Sequence, residues 1–131
     1  AGHFVTLFLA RLDSEARSLA YSSAGHCAGH VLHRDGESRL ALRPTGIPLG
    51  LDPTVEFHSA PPVTLQRGDS VLLLTDGILE AMAPDESVFG LQRALDVVRM
   101  NWEKPPTATE GTAPSRAQAG IAICCSGSSG R

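Results

Sequence analysis

A basic excess is missing. The chain has 131 residues with 11 Lys or Arg against 14 Asp or Glu, a formal net charge of −3 with its five His neutral. Without a surplus of cations or a Lys/Arg-rich run, neither a phosphate backbone nor an anionic bilayer finds its electrostatic partner, so no nucleic acid and no membrane is expected. Long apolar runs are missing too. The run Val71 to Leu74, for one, is far short of the ~20 residues that cross a bilayer. Ala1-Gly2-His3-Phe4 carries no basic signal-peptide start. Cysteine is scarce: of three, Cys124 and Cys125 are adjacent, too close for an ordinary relaxed disulfide and with no His nearby to support a nucleophile. A reducing, cytoplasmic setting is therefore expected. Methionine is absent from position 1, and because Phe4 to Leu9 already reads as core, further chain is expected ahead of Ala1.

Bulky apolar residues are unevenly spread. Residues 1–102 hold 30 Phe, Ile, Leu and Val; residues 103–131 hold two, Ile121 and Ile123. So poor a segment cannot offset the ~1–2 kcal/mol per residue that ordering its backbone costs. The division expected is a folded portion, 1–102, and a flexible low-complexity tail, 103–131, in which only Ile121–Cys125 could form a short strand.

In the first hundred residues strand and turn signals dominate. Phe4–Leu12 starts apolar on both faces, as a strand buried between two layers would. Arg17–Ser23 alternates through Leu19 and Tyr21. His30–His33 and Ser38–Leu42 flank Arg34-Asp35-Gly36-Glu37, where Asp-Gly supplies the positive φ of a tight hairpin. Val55–His58 and Val63–Gln66 are short candidate strands, Ser70–Thr75 predicts a strand in mid-sheet, and Val88–Trp102 an amphipathic helix. Leu72, Leu74, Leu91 and Leu95 are expected in the core.

The chemistry concentrates in Val71-Leu-Leu-Leu-Thr-Asp-Gly-Ile-Leu-Glu-Ala81. A carboxylate directly after buried apolar residues is costly to desolvate unless a partner or metal compensates. Asp76 is therefore either a helix cap at a strand end or a metal-binding or catalytic carboxylate. Gly77 leaves room for close approach, and a short helix is expected through Ile78–Met82. His26, Cys27, His30 and His33 imitate a zinc spacing, but residues three apart in a strand diverge, so no zinc site is expected. Arg67-Gly68-Asp69-Ser70 spells an adhesion tetrapeptide and is read as a plain turn.

Five motifs follow one another over about 90 residues: Phe4–Asp13, Tyr21-Ser-Ser-Ala-Gly-His26, Gly46-Ile-Pro-Leu-Gly-Leu51, Gln66–Ala81 and Phe89-Gly90. In that order the chain resembles the C-terminal part of the SpoIIE-type bacterial branch of the metal-dependent protein phosphatases, the superfamily of protein phosphatase 2C. The resemblance implies an α+β fold, here a partial αββα-type sandwich of mostly antiparallel strands with flanking helices and a disordered C-terminal tail. It further implies a pair of Mn²⁺ or Mg²⁺ ions that activate a water against a phosphoserine or phosphothreonine, with no side-chain nucleophile. Asp76 matches the metal ligand of the Thr-Asp-Gly motif, and Thr75, Gly77, Gly25 and His26 fall in the active-site vicinity. His26 is open to two roles, bonding a metal-bound water or holding its loop. Cys27-Ala28 replaces the usual Asn-Pro.

The family's other aspartates are not found. One comes from a motif upstream of the strand matching Phe4, and no Asp follows Asp96; Gln118-Ala119-Gly120 stands where a late acidic turn is expected. The expectation is an incomplete metal-dependent serine/threonine phosphatase domain, inactive or nearly so as it stands. Its parent's substrate is expected to be a phosphoprotein, such as an anti-anti-sigma-type regulator. The alternative is a degenerate phosphatase fold that serves as a non-catalytic protein-interaction module. Exposed sheet edges are expected to favour self-association.

Overall fold

In the computed structural model residues 3–101 are described, together with the backbone of 120–129. Strand β1 (His3–Asp13) turns through Asp13, whose Oδ1 accepts the Ala16 N–H, into β2 (Ser18–Ala24). Their antiparallel register pairs Phe8 with Ser23 and Ala10 with Tyr21. β3 (Gly29–Leu32) and β4 (Ser38–Leu42) form the expected hairpin. Only Gly36 takes a positive φ, 83°. The Gly36 N–H donates to the His33 carbonyl and the His33 N–H to the Glu37 carbonyl, both at 2.8 Å. That is a type I turn followed by a left-handed residue rather than a two-residue primed turn.

β5 is only Val63–Thr64, and Val55–His58 is not a strand. Prolines 61 and 62 lack the amide donors that would extend a ladder between them. β6 (Ser70–Leu72) is followed by α1 (Asp76–Leu79) and α2 (Gly90–Met100). β7 runs over Gly120–Ser129, longer than the five residues expected of it, and lies antiparallel to β1 with Phe8 opposite Cys124. The segment expected to be flexible, Glu103–Ala119, and Trp102 lie outside the described residues.

Two antiparallel sheets result, one ordered β5-β2-β1-β7 and the other β4-β3-β6. Phe8, Ala10, Leu19 and Tyr21 of the first meet Val31 and Leu42 of the second in one core. Each large side chain so buried contributes about 1.5–3 kcal/mol relative to exposure. The Phe8 and Tyr21 rings stack with centroids 5.1 Å apart, and the Tyr21 hydroxyl donates to the Arg43 carbonyl at 3.0 Å. The fold is therefore α+β with a sandwich core, as the sequence predicts.

Four expectations need correction. β1 is not buried on both faces: Thr6, Phe8 and Ala10 are buried, while Val5 and Leu9 are each 41% exposed, since no described element covers their side. β6 pairs only with β3 and ends at Leu72, so among the described residues it is an edge strand. Leu73 and Leu74 leave the ladder instead of extending it. Of the four leucines placed in the core, Leu72, Leu74 and Leu95 are half-buried and Leu91 is exposed. Helix α2 is shorter than expected and buries only Ala94 fully; its last turn packs on the β3–β4 turn, where Arg99 pairs with Glu37 at 3.0 Å. No described helix is long and apolar enough to cross a membrane.

Candidate functional site

The site is a corner held by one carbonyl. After β6 the chain stays extended to Thr75 (φ −105°, ψ 159°) and then enters α1, with the Ile78 N–H donating to the Thr75 carbonyl at 3.0 Å. Two side chains converge on the preceding carbonyl of Leu74. His26 Nε2 lies 3.1 Å from it and Cys27 Sγ donates to it at 2.7 Å. A carbonyl only accepts, so Nε2 carries the ring proton. In that tautomer Nδ1 accepts from the Thr6 hydroxyl at 3.0 Å. His26 and Thr6 are buried, at 1% and 7% exposure, and the imidazole also meets Phe8 edge-on at 6.4 Å. His26 thus ties β1 to the end of β6, which supports the loop-holding role among the two left open by the sequence.

Gly25 sits in the same loop at φ 62°, and a Cβ there would come within 2.4 Å of Pro48 Cδ. Its N–H donates to the Gly46 carbonyl at 2.8 Å. Glycine is obligatory here on packing grounds. Gly77 differs: a Cβ would meet only Thr75 Oγ1, at an ordinary 3.8 Å. Nothing in the described fold requires a glycine beside Asp76.

Asp76 is exposed at the first helical position, not the cap. Thr75 is the cap residue, and it makes no side-chain capping bond. Among the described residues the Asp76 carboxylate has neither a hydrogen bond nor an ion pair, so the capping alternative does not account for it. Among the described residues no three His, Cys, Asp or Glu side chains gather into a metal-holding group, and the zinc imitation dissolves with His26 and His30 buried in separate contacts.

The structure therefore brings Gly25, His26 and the Thr75-Asp76-Gly77 corner together through Leu74. The sequence reading missed Thr6, Cys27 and Leu74 as parts of this frame. One signal was present: Thr6 is the lone polar residue in the apolar run Phe4–Ala10.

Residues 1–114 match the family described as Stage II sporulation protein E (SpoIIE). The chain belongs to the SpoIIE family. Among curated proteins it is similar to Protein IcfG of Synechocystis sp., at 29% identity over 99 residues, which cover 76% of this chain and 15% of that protein. The chain thus spans well under a fifth of its relative's length. No solved structure matches it. Membership makes this a phosphatase-related domain of a family that generally uses Mn²⁺ or Mg²⁺. A carboxylate oxygen is the donor such hard cations take, and a Mg²⁺ site can rest on one or two of them plus waters and substrate phosphates. Asp76 alone suits one such ligand. It does not make a two-ion centre, and among the described residues it belongs to no group of three metal-ligating side chains.

Proposed function

We propose that this chain is part of a metal-dependent serine/threonine phosphoprotein phosphatase domain in which Asp76 is one metal ligand, and that the arrangement by itself hydrolyses little or nothing. One observation carries the reading: a solvent-facing carboxylate with no structural partner among the described residues, just beyond a Leu74 carbonyl clamped by two buried or half-buried side chains. In the complete centre a metal pair supplies an activated water for phosphomonoester hydrolysis. This chain's own contribution is positional. Thr6, His26 and Cys27 fix the Leu74 carbonyl and with it the direction in which Asp76 leaves the sheet, and Gly77 leaves space for a bulky phosphoprotein to approach. The substrate class we infer is a phosphoserine or phosphothreonine regulator of the anti-anti-sigma type, in the cytoplasm.

A second reading, the non-catalytic interaction module, is favoured by the absence of any three-membered metal-holding group around Asp76 among the described residues. The two separate in a longer protein that contains this segment. Calorimetric titration with Mn²⁺ is expected to count about two ions per domain, and Asp76→Asn to lower Mn²⁺-dependent hydrolysis of p-nitrophenyl phosphate by at least about a hundredfold, since outer-shell losses alone reach that size. Full hydrolysis by the Asp76→Asn protein, or no Mn²⁺ uptake by the unaltered one, would sink the phosphatase reading.

A further inference from the structure

Beyond Asp76 the chain forms a small hairpin that the candidate site does not use. Glu80 follows Asp76 by one helical turn, its N–H donating to the Asp76 carbonyl at 2.7 Å, and the hairpin opens at the next residue. The Phe89 N–H donates to the Ala81 carbonyl at 2.7 Å and the Ala83 N–H to the Ser87 carbonyl at 2.9 Å. Met82 and Val88 lie between these bonds as an antiparallel pair. In a pair flanked in this way the two side chains stand close together on one face. Yet Met82 is 66% and Val88 52% exposed, and Ile78, four residues before Met82, is 46% exposed. Apolar side chains gathered in the open, rather than scattered singly, are what a partner covers.

The tip of the hairpin is fixed. The Glu86 N–H donates to the Ala83 carbonyl at 2.9 Å, and the Asp85 carboxylate accepts from the Ser87 N–H at 3.0 Å and from the Ser87 hydroxyl at 2.6 Å. This is a type I turn with Pro84 at its first corner, closed by a left-handed residue. That residue is Glu86, at φ 65°, where glycine would fit without strain. The strained backbone holds an exposed carboxylate at the tip.

Charge decides what fits beside the apolar pair. Residues 70–92 include four acids, Asp76, Glu80, Asp85 and Glu86, and no Lys, Arg or His. All four are exposed, and none forms an ion pair among the described residues. Arg93 is the first cation after them. A phosphate approaching this corner meets a repulsive field, and a segment that brings its own cations beside the phosphate offsets it.

We propose that the hairpin 81–89 docks a segment of a partner protein in which Lys or Arg residues flank an apolar one, Glu80 and Glu86 meeting the cations and Met82 with Val88 the apolar side chain. That such a segment delivers its phosphate to Asp76 rests on the phosphatase reading; its affinity for the hairpin does not.

The test uses the metal-free 131-residue chain at low ionic strength and follows the Met82 and Val88 methyl signals by NMR. The probe is the peptide Arg-Arg-Leu-Ser-Leu-Arg, compared with Glu-Glu-Leu-Ser-Leu-Glu and Arg-Arg-Ser-Ser-Ser-Arg. The first is expected to shift both methyl signals saturably, to bind more tightly than either of the others, and to weaken as salt is raised. Glu86→Gly also relieves the left-handed strain and so keeps the fold; it is expected to weaken binding about threefold, the size of one exposed ion pair. Met82→Ser, followed at Val88, is expected to weaken it about tenfold, the size of one partly covered apolar side chain. Met100→Ser, at the far end of α2 and 74% exposed, should leave it unchanged. No saturable shift, equal binding of either comparison peptide, unchanged affinity in Glu86→Gly or in Met82→Ser, or equal weakening in Met100→Ser overturns the surface. Without metal this titration judges docking alone, while the Mn²⁺-dependent hydrolysis described above judges the phosphatase reading, and either can fail with the other intact.

Discussion

At the scale of single residues, the two glycines of the candidate site make opposite demands. Gly25 combines a positive φ with a 2.4 Å approach to Pro48, so Gly25→Ala is expected to cost about 2–4 kcal/mol of stability, from the left-handed backbone and the overpacking together. Gly77 has no such constraint and sits in α1, where alanine is favoured by up to about 1 kcal/mol. Gly77→Ala should therefore leave the urea midpoint unchanged or raise it, while lowering hydrolysis in a longer, active protein if approach to Asp76 matters. A large loss of stability in Gly77→Ala would return that glycine to a structural role. His30 carries a pH signature. Its Nδ1 bonds Ser38 Oγ at 3.0 Å and burial lowers its pKa from 6.5. The unfolded chain then takes up a proton that the folded chain resists, so stability is full above the unfolded value and falls as pH drops below about 6.5. His30→Gln should flatten urea midpoints across that window. Asp35, Asp52 and Asp85, each held below its ordinary 3.8 by local hydrogen bonds, affect stability only at more acid pH.

At the scale of elements, β7 covers the edge that β1 would otherwise present along His3–Leu12. A chain ending at Ala119 is expected to expose that ladder and to self-associate, seen as a mass that grows with concentration in light scattering. An unaltered monomer would show the edge to be protected by other means. Elements differed in how plainly the sequence announced them. The β3–β4 hairpin was legible because Asp35-Gly36 acts on its immediate neighbours, with the Glu37 N–H bonded to the Asp35 carboxylate at 3.0 Å. The edge position of β6 was not, since an apolar run reports burial but not how many strands flank it. The frame of the candidate site was legible only in part. Asp76 stood out as a charge after a greasy strand, whereas the Thr6–His26 bond joins residues 20 apart in sequence and the His26–Leu74 bond residues 48 apart. No local pattern encodes such meetings.

At the scale of the whole molecule, the first sheet joins strands that lie far apart in the chain. His3 stands opposite Ser129 in the β1–β7 register, and residues facing each other across antiparallel strands have Cα atoms only about 4.5–5.5 Å apart. A handful of added residues could bridge these ends without disturbing either sheet. Reopening the resulting ring in the irregular stretch after Leu51, where Asp52 to Thr54 are exposed, would yield a circular permutant with the same neighbours throughout. In such a molecule the pairing of β1 with β7 becomes local. Its present separation of more than a hundred positions places closure of that sheet among the late, slow steps of folding, and the rearranged order would bring it forward.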